Sequence, residues 1–382
     1  MMRDVLRASG RNPGIIGSNG AEYAGTWTEL ANTTPDYDAL QEYFRKMADE
    51  GCDSCVVEVS SQAMLKSRIE GIEFDYGIWL NLQEGDHIGP NEHESFFDYL
   101  SCKAKILSHC RKVLLNGDDP YVHATVSVLD RLEKKSGKRS ERYRFGLREF
   151  EEFRASGIRE VFDEEKALPG TVFHADGTAT DGDFFIRFPG EVQVYNALSV
   201  IGVAELMGIP SEDVKRGLSD VTIRGREELV YRGDFTVCVD FAHNGASAFA
   251  HLKAVRAYRP KRVVCIFGAD GNRSKDRRYG MGEASGRLAD FTIVTSGHNR
   301  YETFEAILAD TEVGLRKAGT PDYIAIKDRE EAIRYAIDHA RSGDFITILG
   351  LGHEHWQEEN GKKRVYNDSD FVRSVLREKG RM

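Results

Sequence analysis

Carboxylate, imidazole and amine side chains follow two apolar segments in the first third of the sequence. Glu58 ends the segment CVVEV, and Asp86, His87, His93 and Lys103 come after YGIWLNL. A carboxylate at the end of a parallel strand lies where α/β sheets bind ligands, and Mg²⁺ prefers oxygen ligands. These residues are therefore candidate metal ligands. Taken alone, Glu58 is equally typical of an ordinary strand-end acid. For the other residues, an N-cap Asp, a surface His and a solvated Lys are the commoner cases.

Two hydroxyl side chains precede a proline in NTTPD, residues 32–36. Hydroxyl residues before a proline are typical of the start of a helix, where side-chain oxygens accept backbone N–H groups. The residues alone leave open whether Thr33 and Thr34 only begin a helix or also bind a ligand.

Gly-rich loops with His, Arg and Asp are frequent in the second half of the chain. They are RGREE (224–228), VDFAHN (239–244), FGADGNRSKDRR (267–278), SGHNRYE (296–302) and GLGHEHW (350–356). Three of them follow apolar runs, so we expect them at one edge of a second sheet. Arg273, Lys275, Arg277 and Arg278 in one loop predict an anion site, although any single loop is also typical of a tight βα turn.

The elements that must position these residues alternate between apolar runs and amphipathic stretches. The apolar runs predict strands at 55–59, 76–82, 112–117, 236–241, 262–269, 291–296, 323–326 and 345–352. Amphipathic patterns predict helices at 38–51, 302–319 and 329–343, and 196–209 is also helix-like. This βαβ alternation predicts an α/β fold with parallel sheets and right-handed crossovers.

Length and composition restrict the function class. The 382 residues are consistent with two domains, and we predict a boundary near residue 222. The net charge of -10 argues against nucleic-acid binding, which needs clustered Lys and Arg. The sequence has no apolar run of ~18 residues and no secretory signal, so we expect a cytoplasmic protein. The six cysteines, including the lone C-x-x-C of Cys52 and Cys55, are expected to be free thiols.

The order of the motifs resembles that of the Mur ligases of peptidoglycan synthesis. That order is NTTPD, EVSSQ, NL…DH…YxxxK, NGDD, GREE, DFAH, GADGNR, HNR and GLGHE, and it covers essentially the whole chain. NTTPD with EVSS is most similar to the type that adds the third peptide residue to UDP-N-acetylmuramoyl-L-alanyl-D-glutamate. The resemblance implies a parallel-sheet central domain over 1–222 and a Rossmann-like C-terminal domain over 223–382.

The resemblance also implies an activity and its residues. In this family ATP phosphorylates a carboxylate, and the amine of an amino acid then attacks the acyl phosphate.

Glu58 and His87 would hold Mg²⁺, and Lys103 matches the lysine that the family carbamylates. Positions that match contacts to the UDP-muramoyl dipeptide are Asn32, Thr33, Thr34, Ser60 and Arg68. Positions that match nucleotide contacts are Asn116, Asn196, Arg226, Asp240 and His243. The implied amino-acid pocket comprises Arg278, His298, Arg300, Gly350 and Glu354. The implied partners are these small molecules, with a monomeric chain.

The chain departs from the family pattern around the amino-acid pocket. Gly297-His298-Asn299-Arg300 stands where the diaminopimelate type has Asp-Asn-Pro-Arg. Leu351 replaces the Lys of GKGHE, and Gln62 replaces a common His. The guanidinium of the retained Arg300 can donate two parallel hydrogen bonds to one carboxylate. The resemblance therefore favours meso-diaminopimelate over L-lysine.

The phosphate-binding motif G-x-x-x-x-G-K-[ST] is absent from the 382 residues. The resemblance places this motif, its strand and a UDP-binding domain before Met1, so we interpret the sequence as N-terminally truncated. Since backbone N–H groups of that motif hold the transferred phosphate, we expect no ATP turnover by the chain as given. We also expect unpaired strand edges in the first sheet. Two further hypotheses stay open: a non-catalytic ligase-like binding protein, and a divergent amide ligase with another substrate.

Overall fold

A computed structural model describes residues 1–82, 93–163, 168–176, 180–221, 223–319 and 322–382. The chain folds as two compact units, Met1–Val221 and Thr222–Met382. Among the described residues, none of the helices is long and apolar enough to cross a membrane. The six cysteines are free thiols, as predicted.

The first unit contains two sheets and seven helices in the described ranges. Its helices are α1 Met2–Ala8, α2 Tyr37–Asp49, α3 Ser61–Leu65, α4 Phe96–Leu107, α5 Val122–Ser136, α6 Glu191–Leu206 and α7 Ser211–Ser219. Its strands are β1 Pro13–Gly17, β2 Gly20–Tyr23, β3 Thr26–Thr28, β4 Ser54–Val57, β5 Phe74–Trp79, β6 Cys110–Asn116, β7 Glu141–Gly146, β8 Phe153–Asp163, β9 Leu168–Asp176 and β10 Gly182–Ile186.

The two sheets of the first unit have the strand orders β3-β2-β1-β4 and β10-β9-β8-β7-β6-β5. Strand β1 pairs parallel with β4, and β5 to β8 pair parallel with one another. Strands β4 and β5 are edge strands, so each has one side without a pairing strand in the described chain. The apolar side chains of Ile78 and Leu80 are 37% exposed at the β5 edge. Unpaired edges of this kind promote aggregation.

Helix α6 forms the centre of the larger core in the first unit. Its residues are apolar on nearly every face, and Val194, Ala197 and Leu198 are completely buried. They pack in one cluster with Phe145 and Phe173 of the six-stranded sheet. A helix that is apolar all round has to be covered by other elements, which fixes the position of the loop at its N-terminus.

The second unit is built on one six-stranded sheet. Its strands are β11 Glu228–Arg232, β12 Thr236–Asp240, β13 Arg262–Phe267, β14 Phe291–Val294, β15 Tyr323–Ala325 and β16 Asp344–Leu349, followed by the hairpin β17 Trp356–Glu359 and β18 Lys362–Val365. Its helices are α8 Gly245–Ala257, α9 Lys275–Leu288, α10 Phe304–Lys317, α11 Arg329–Asp338 and α12 Asp368–Glu378. The strand order is β11-β12-β16-β13-β14-β15, and only β11 pairs antiparallel.

Strand β16 shows why the runs in the second unit are apolar throughout. All of its residues are buried. Ile346 and Ile348 pack into one core cluster, whereas Phe345 and Leu349 pack into another. Since successive side chains point to opposite faces, both faces of the strand are covered, as in a parallel α/β sheet.

The eight predicted strands and the predicted helices are present, with ends that differ by a few residues. The α/β fold with parallel strands is confirmed. Helix α6 begins at Glu191, five residues before the predicted start, because Gly190 is the N-cap residue. Thr33 and Thr34 lie before α2, whose N-cap is Asp36.

Candidate functional site

Two loops of the first unit are joined by a threonine. The hydroxyl of Thr34 donates to the carbonyl of Glu58 at 2.9 Å. The oxygen of this hydroxyl also accepts the N–H of Ser60 at 2.9 Å. Arg68 donates to the carbonyl of Thr34 at 2.9 Å and pairs with Asp36 at 2.8 Å. The structure thus brings together four predicted site residues. Thr34 is 0% and Arg68 5% exposed, so their side chains hold the loops in place.

Glu58 is exposed at the carboxyl end of β4, beside the β1–β2 turn. One of its oxygens, Oε2, accepts the backbone N–H of Ser18 at 2.9 Å. A Cβ atom at Gly17 would lie 2.8 Å from that oxygen, so the glycine makes room for the carboxylate. The hydroxyl of Ser18 lies 3.1 Å from that of Thr33, and Asn32 is exposed next to it. Sequence reasoning missed Ser18, whose signal is the SNG turn between two strands.

Lys103 lies on α4 with its ammonium in a polar and aromatic setting. Nζ donates to the carbonyl of Asn81 at 3.0 Å and lies 3.4 Å from the hydroxyl of Tyr99. It also lies 5.8 Å from the ring centre of Trp79. An ammonium group has no lone pair for a metal, so Lys103 would become a ligand only as its carbamate. The predictions for Asp86 and His87 lie outside the described residues.

The donor set therefore fits Mg²⁺ in part. Glu58 offers an exposed carboxylate oxygen that is oriented by Ser18, as a hard cation requires. Lys103 would add a second oxygen ligand after carbamylation.

Asn116 and Asn196 belong to two loops that contact each other. Asp118 accepts the hydroxyl of Tyr195 at 3.1 Å, which links the β6–α5 turn to the first turns of α6. The amide of Asn116 donates to Leu80 O at 2.8 Å and accepts Asp118 N–H at 3.0 Å. Asn196 donates to a glutamine side chain one turn earlier on α6. The Asn116 amide thus organises its own turn, and its side chain is 6% exposed.

In the second unit, Arg226, Asp240 and His243 lie around Phe241. The Arg226 guanidinium lies 4.6 Å from the Phe241 ring centre, and the His243 ring lies 4.8 Å from it. The Asp240 carboxylate accepts the backbone N–H groups of Ala242 at 2.8 Å and of residue 227 at 2.7 Å. The three predicted nucleotide-side residues are therefore neighbours at the carboxyl end of β12.

His298 and Glu354 form a hydrogen-bonded pair at the carboxyl ends of β14 and β16. Glu358 N–H donates to Nδ1 of His298 at 3.2 Å, so Nε2 carries the proton and donates to Glu354 at 2.7 Å. The His298 ring stacks on Trp356 with centres 4.2 Å apart. Sequence reasoning missed Trp356 and Glu358, which enter this site from the β17–β18 hairpin.

Gly350 and Arg300 complete this group. Gly350 has φ 112°, and a Cβ atom there would lie 2.8 Å from the carbonyl oxygen of Gly268. Arg300 donates to the carbonyl of Gly271 at 2.9 Å and lies 3.6 Å from the carboxylate of Asp270. The glycine loops after β13, β14 and β16 thus meet at one edge of the sheet, as predicted.

Arg278 corrects the predicted pocket. Its guanidinium is 1% exposed and pairs with Glu302 and with Asp310 at 2.8 Å. Lys275, from the same predicted anion site, pairs with Asp310 at 3.1 Å. The prediction that these cations form an open anion site is therefore wrong for Arg278, because two carboxylates of the α10 region already surround it.

The Arg278–Glu302 pair predicts an acid-dependent stability. Hydrogen bonding to Arg278 lowers the pKa of Glu302 to about 2. An unfolded Glu has a pKa of about 4.3, so the pair stabilises the fold above that pH and loses this contribution as the pH falls towards about 2. We expect Glu302→Gln to flatten the pH dependence of the unfolding free energy in this window. Glu305→Gln, an exposed position in the first turn of α10, is the control and should follow the wild type.

Comparison with known proteins identifies the family. Residues 1–204 match the Mur ligase middle domain, and residues 225–352 match the Mur ligase glutamate ligase domain. The chain is 33% identical to a UDP-N-acetylmuramoyl-L-alanyl-D-glutamate--2,6-diaminopimelate ligase of Caldanaerobacter subterraneus over 99% of its length and 75% of the relative's. It is 30% identical to the Clostridium perfringens ligase of the same name, over 98% of the chain and 75% of that relative.

Solved structures show the same fold. A UDP-N-acetylmuramoyl-L-alanyl-D-glutamate--2,6-diaminopimelate ligase superposes with a TM-score of 0.68 at 22% identity, over 100% of this chain and 76% of that one. The UDP-N-acetylmuramate-alanine ligase of Thermotoga maritima superposes with a TM-score of 0.62 at 15% identity, over 99% of this chain and 71% of that one. The chain belongs to the Mur ligase family.

Proposed function

We propose that the chain acts in peptidoglycan synthesis as an ATP-dependent ligase that adds meso-diaminopimelate to UDP-N-acetylmuramoyl-L-alanyl-D-glutamate. The observation that carries the proposal is the meeting of His298, Arg300, Gly350 and Glu354 at the edge of the second sheet. It is supported by the names of the relatives that are 30–33% identical over nearly the whole chain.

The reaction joins an acid to an amine in two steps. ATP phosphorylates the glutamyl carboxylate, which gives ADP and an acyl phosphate. The amine then attacks the acyl carbon, the new carbon–nitrogen bond forms, and phosphate leaves as the amine loses a proton. Bound Mg²⁺ would stabilise the negative charge on the transferred phosphoryl group, with Glu58, His87 and carbamylated Lys103 as the proposed ligands.

The first unit is proposed to bind the acceptor. Thr33, Ser60 and Asn32 lie on the loops that Thr34 and Arg68 hold together. The residues proposed to contact the nucleotide are Asn116, Asn196, Arg226, Asp240 and His243. We further propose that residues 1–222 and 223–382 are the central and C-terminal domains, and that the protein is a cytoplasmic monomer.

The second unit is proposed to bind the amino acid. Arg300 can donate to a carboxylate, whereas Glu354 can accept from an ammonium group once His298 has fixed its orientation. Diaminopimelate carries an additional carboxylate compared with lysine, and an arginine fork favours that carboxylate.

We expect Arg300→Met to raise the Kd for meso-diaminopimelate, measured by calorimetry, by about 10- to 100-fold, since a hydrogen bond to a charged group is lost. The Kd for the UDP-muramoyl dipeptide should stay unchanged. Arg316→Met, an exposed arginine of α10, is the control. A rise in both constants, or in neither, would contradict the assignment of Arg300 to the amino-acid pocket.

The proposed function is tested by binding and by ligation. Calorimetry should show binding of the UDP-muramoyl dipeptide to the 382 residues joined to the part of the Caldanaerobacter subterraneus ligase that the chain does not match. Amide formation is then assayed with ATP, Mg²⁺ and either meso-diaminopimelate or L-lysine, on the 382 residues and on the same residues joined to the part of the Caldanaerobacter subterraneus ligase that the chain does not match. We expect product from the joined form with meso-diaminopimelate, and none from the 382 residues alone, because they contain no phosphate-binding motif. Preference for L-lysine would overturn the substrate assignment, and absence of dipeptide binding would overturn the function.

A further inference from the structure

Three side chains of different chemistry meet near the start of α4, and none of them is a proposed ligase residue. His93, Asp98 and Cys102 each offer one donor atom, and these atoms lie within 4.8 Å of one another. Nδ1 of His93 lies 2.9 Å from Oδ2 of Asp98, and Sγ of Cys102 lies 3.8 Å from Oδ1 of the same carboxylate. The nitrogen, oxygen and sulfur donors thus surround a common point.

Helix geometry produces this arrangement. Asp98 and Cys102 are four residues apart on α4, so their side chains lie on one face of the helix. Ser95 caps the helix by accepting the N–H of Asp98 at 3.2 Å, which fixes the first turn. The carboxylate is 37% exposed, whereas the histidine is completely buried. The cluster is therefore rigid on one side and open to solvent on the other.

The second ring nitrogen of His93 has its own partner. Nε2 lies 2.8 Å from the hydroxyl of Ser61 at the start of α3. When Nε2 donates to Ser61, the lone pair of Nδ1 points towards Asp98 and Cys102. Metal-ligating histidines are oriented in this way, by a hydrogen bond from the nitrogen that does not bind the metal.

The same contacts connect Asp98, His93 and Ser61 in the order of a nucleophilic triad. A nucleophile must be reached by its substrate, however, and Ser61 is only 5% exposed. Solvent reaches the cluster through Asp98, which is 37% exposed, and through the partly exposed Cys102. The exposed face of the cluster is therefore suited to an ion and the buried face to a supporting hydrogen bond.

We propose that His93, Asp98 and Cys102 bind a divalent transition metal of the zinc class, with water in the fourth position. Zinc bonds of about 2.0–2.3 Å separate tetrahedral ligand atoms by roughly 3.3–3.8 Å, so the donors need to move by about 1 Å or less. A thiolate and an imidazole select zinc-like ions over Mg²⁺, which prefers oxygen. None of its three ligands belongs to the set proposed for Mg²⁺, which is Glu58, His87 and carbamylated Lys103.

The test is a metal titration of the metal-free 382-residue chain. Co²⁺ should bind with one equivalent and produce a near-ultraviolet thiolate-to-cobalt charge-transfer band, and Zn²⁺ should displace it. Cys102→Ser should remove the band, and His93→Gln should weaken Zn²⁺ binding in a chelator competition. Ser61→Ala keeps all three ligands and should weaken binding by about 10- to 100-fold, because it removes the partner of the second nitrogen.

Two controls separate this site from others. The double variant Cys52→Ser/Cys55→Ser removes the C-x-x-C thiols and should keep the band and the affinity. Glu58→Gln should do the same. Circular dichroism confirms that each variant is folded. A wild-type chain without the band, a band that persists in Cys102→Ser, or a band lost in Cys52→Ser/Cys55→Ser would overturn the proposal.

Discussion

Lys103→Met is expected to reduce the ligation rate by about a hundredfold or more when the chain is joined to the part of the Caldanaerobacter subterraneus ligase that it does not match. Methionine keeps the apolar stem between Trp79 and Tyr99 but cannot form a carbamate. Loss of a group that stabilises charge in the transition state costs about 10²–10³ in kcat. Binding of the UDP-muramoyl dipeptide should be unchanged, because Lys103 contacts Asn81 and Tyr99, whereas the proposed dipeptide residues lie on the loops that Thr34 joins. The measurement is kcat at saturating Mg²⁺, together with dipeptide affinity by calorimetry.

The control for this prediction is Lys105→Met, two residues along the same helix. It removes a similar charge without touching the proposed ligand and should retain wild-type kcat. A resonance from isotopically labelled bicarbonate should appear in the wild type and disappear in Lys103→Met. Wild-type kcat in Lys103→Met would contradict the role of this lysine.

Asp368→Asn is expected to lower the free energy of unfolding of the second unit by about 3–5 kcal/mol. Arg329 and Asp368 are both 0% exposed, and the guanidinium makes two bonds of 2.7 Å to the carboxylate. Arg329 also donates to the carbonyls of Ser296 at 3.3 Å and Leu349 at 3.0 Å. The substitution would leave a buried guanidinium without its counter-charge. Urea unfolding followed by circular dichroism measures the change.

Arg334→Met provides the comparison, because Arg334 pairs with Glu378 at the surface, where both side chains are 42% and 54% exposed. Such a pair contributes about 0–1 kcal/mol. The double variant Arg329→Met/Asp368→Leu should recover part of the lost stability, since it leaves no buried charge but removes the donor to the carbonyls of Ser296 and Leu349. If Asp368→Asn cost no more than Arg334→Met, the buried pair would not have the stabilising role assigned to it.

This pair also connects stability with the proposed pocket. The carbonyls of Ser296 and Leu349 immediately precede Gly297 and Gly350, the glycines of the loops after β14 and β16. Arg329 thus fixes both loops through hydrogen bonds to the residues that precede their glycines. Its importance was not visible in the sequence, where it reads as the first residue of an amphipathic helix.

The elements of the fold could be predicted because their patterns are local. In β16 both faces are covered, so six consecutive residues are buried, and the run is recognisable in a window of that length. Glu58 could likewise be singled out, because a strand end is a local feature and the carboxyl ends of parallel strands share one edge.

Contacts between distant residues could not be predicted in this way. Arg278 was assigned to an anion site from its loop, yet its partners Glu302 and Asp310 lie 24 and 32 residues further along. Thr34 and Arg68 are 34 residues apart, and the guanidinium of Arg68 donates a hydrogen bond to the carbonyl of Thr34. The spacing of such residues follows no period that a sequence pattern could reveal.

The sequence by itself determined eight of the strands, four of the helices and the loops that carry Glu58, His298 and Arg300, because the burial of apolar side chains repeats with the period of each element. The tertiary structure alone decided which polar groups face a ligand and which are used by other side chains. It turned Arg278 towards two carboxylates and placed His93 between Ser61 and Asp98. The physical reason is that a buried polar group must find its partner in space, wherever along the chain that partner lies.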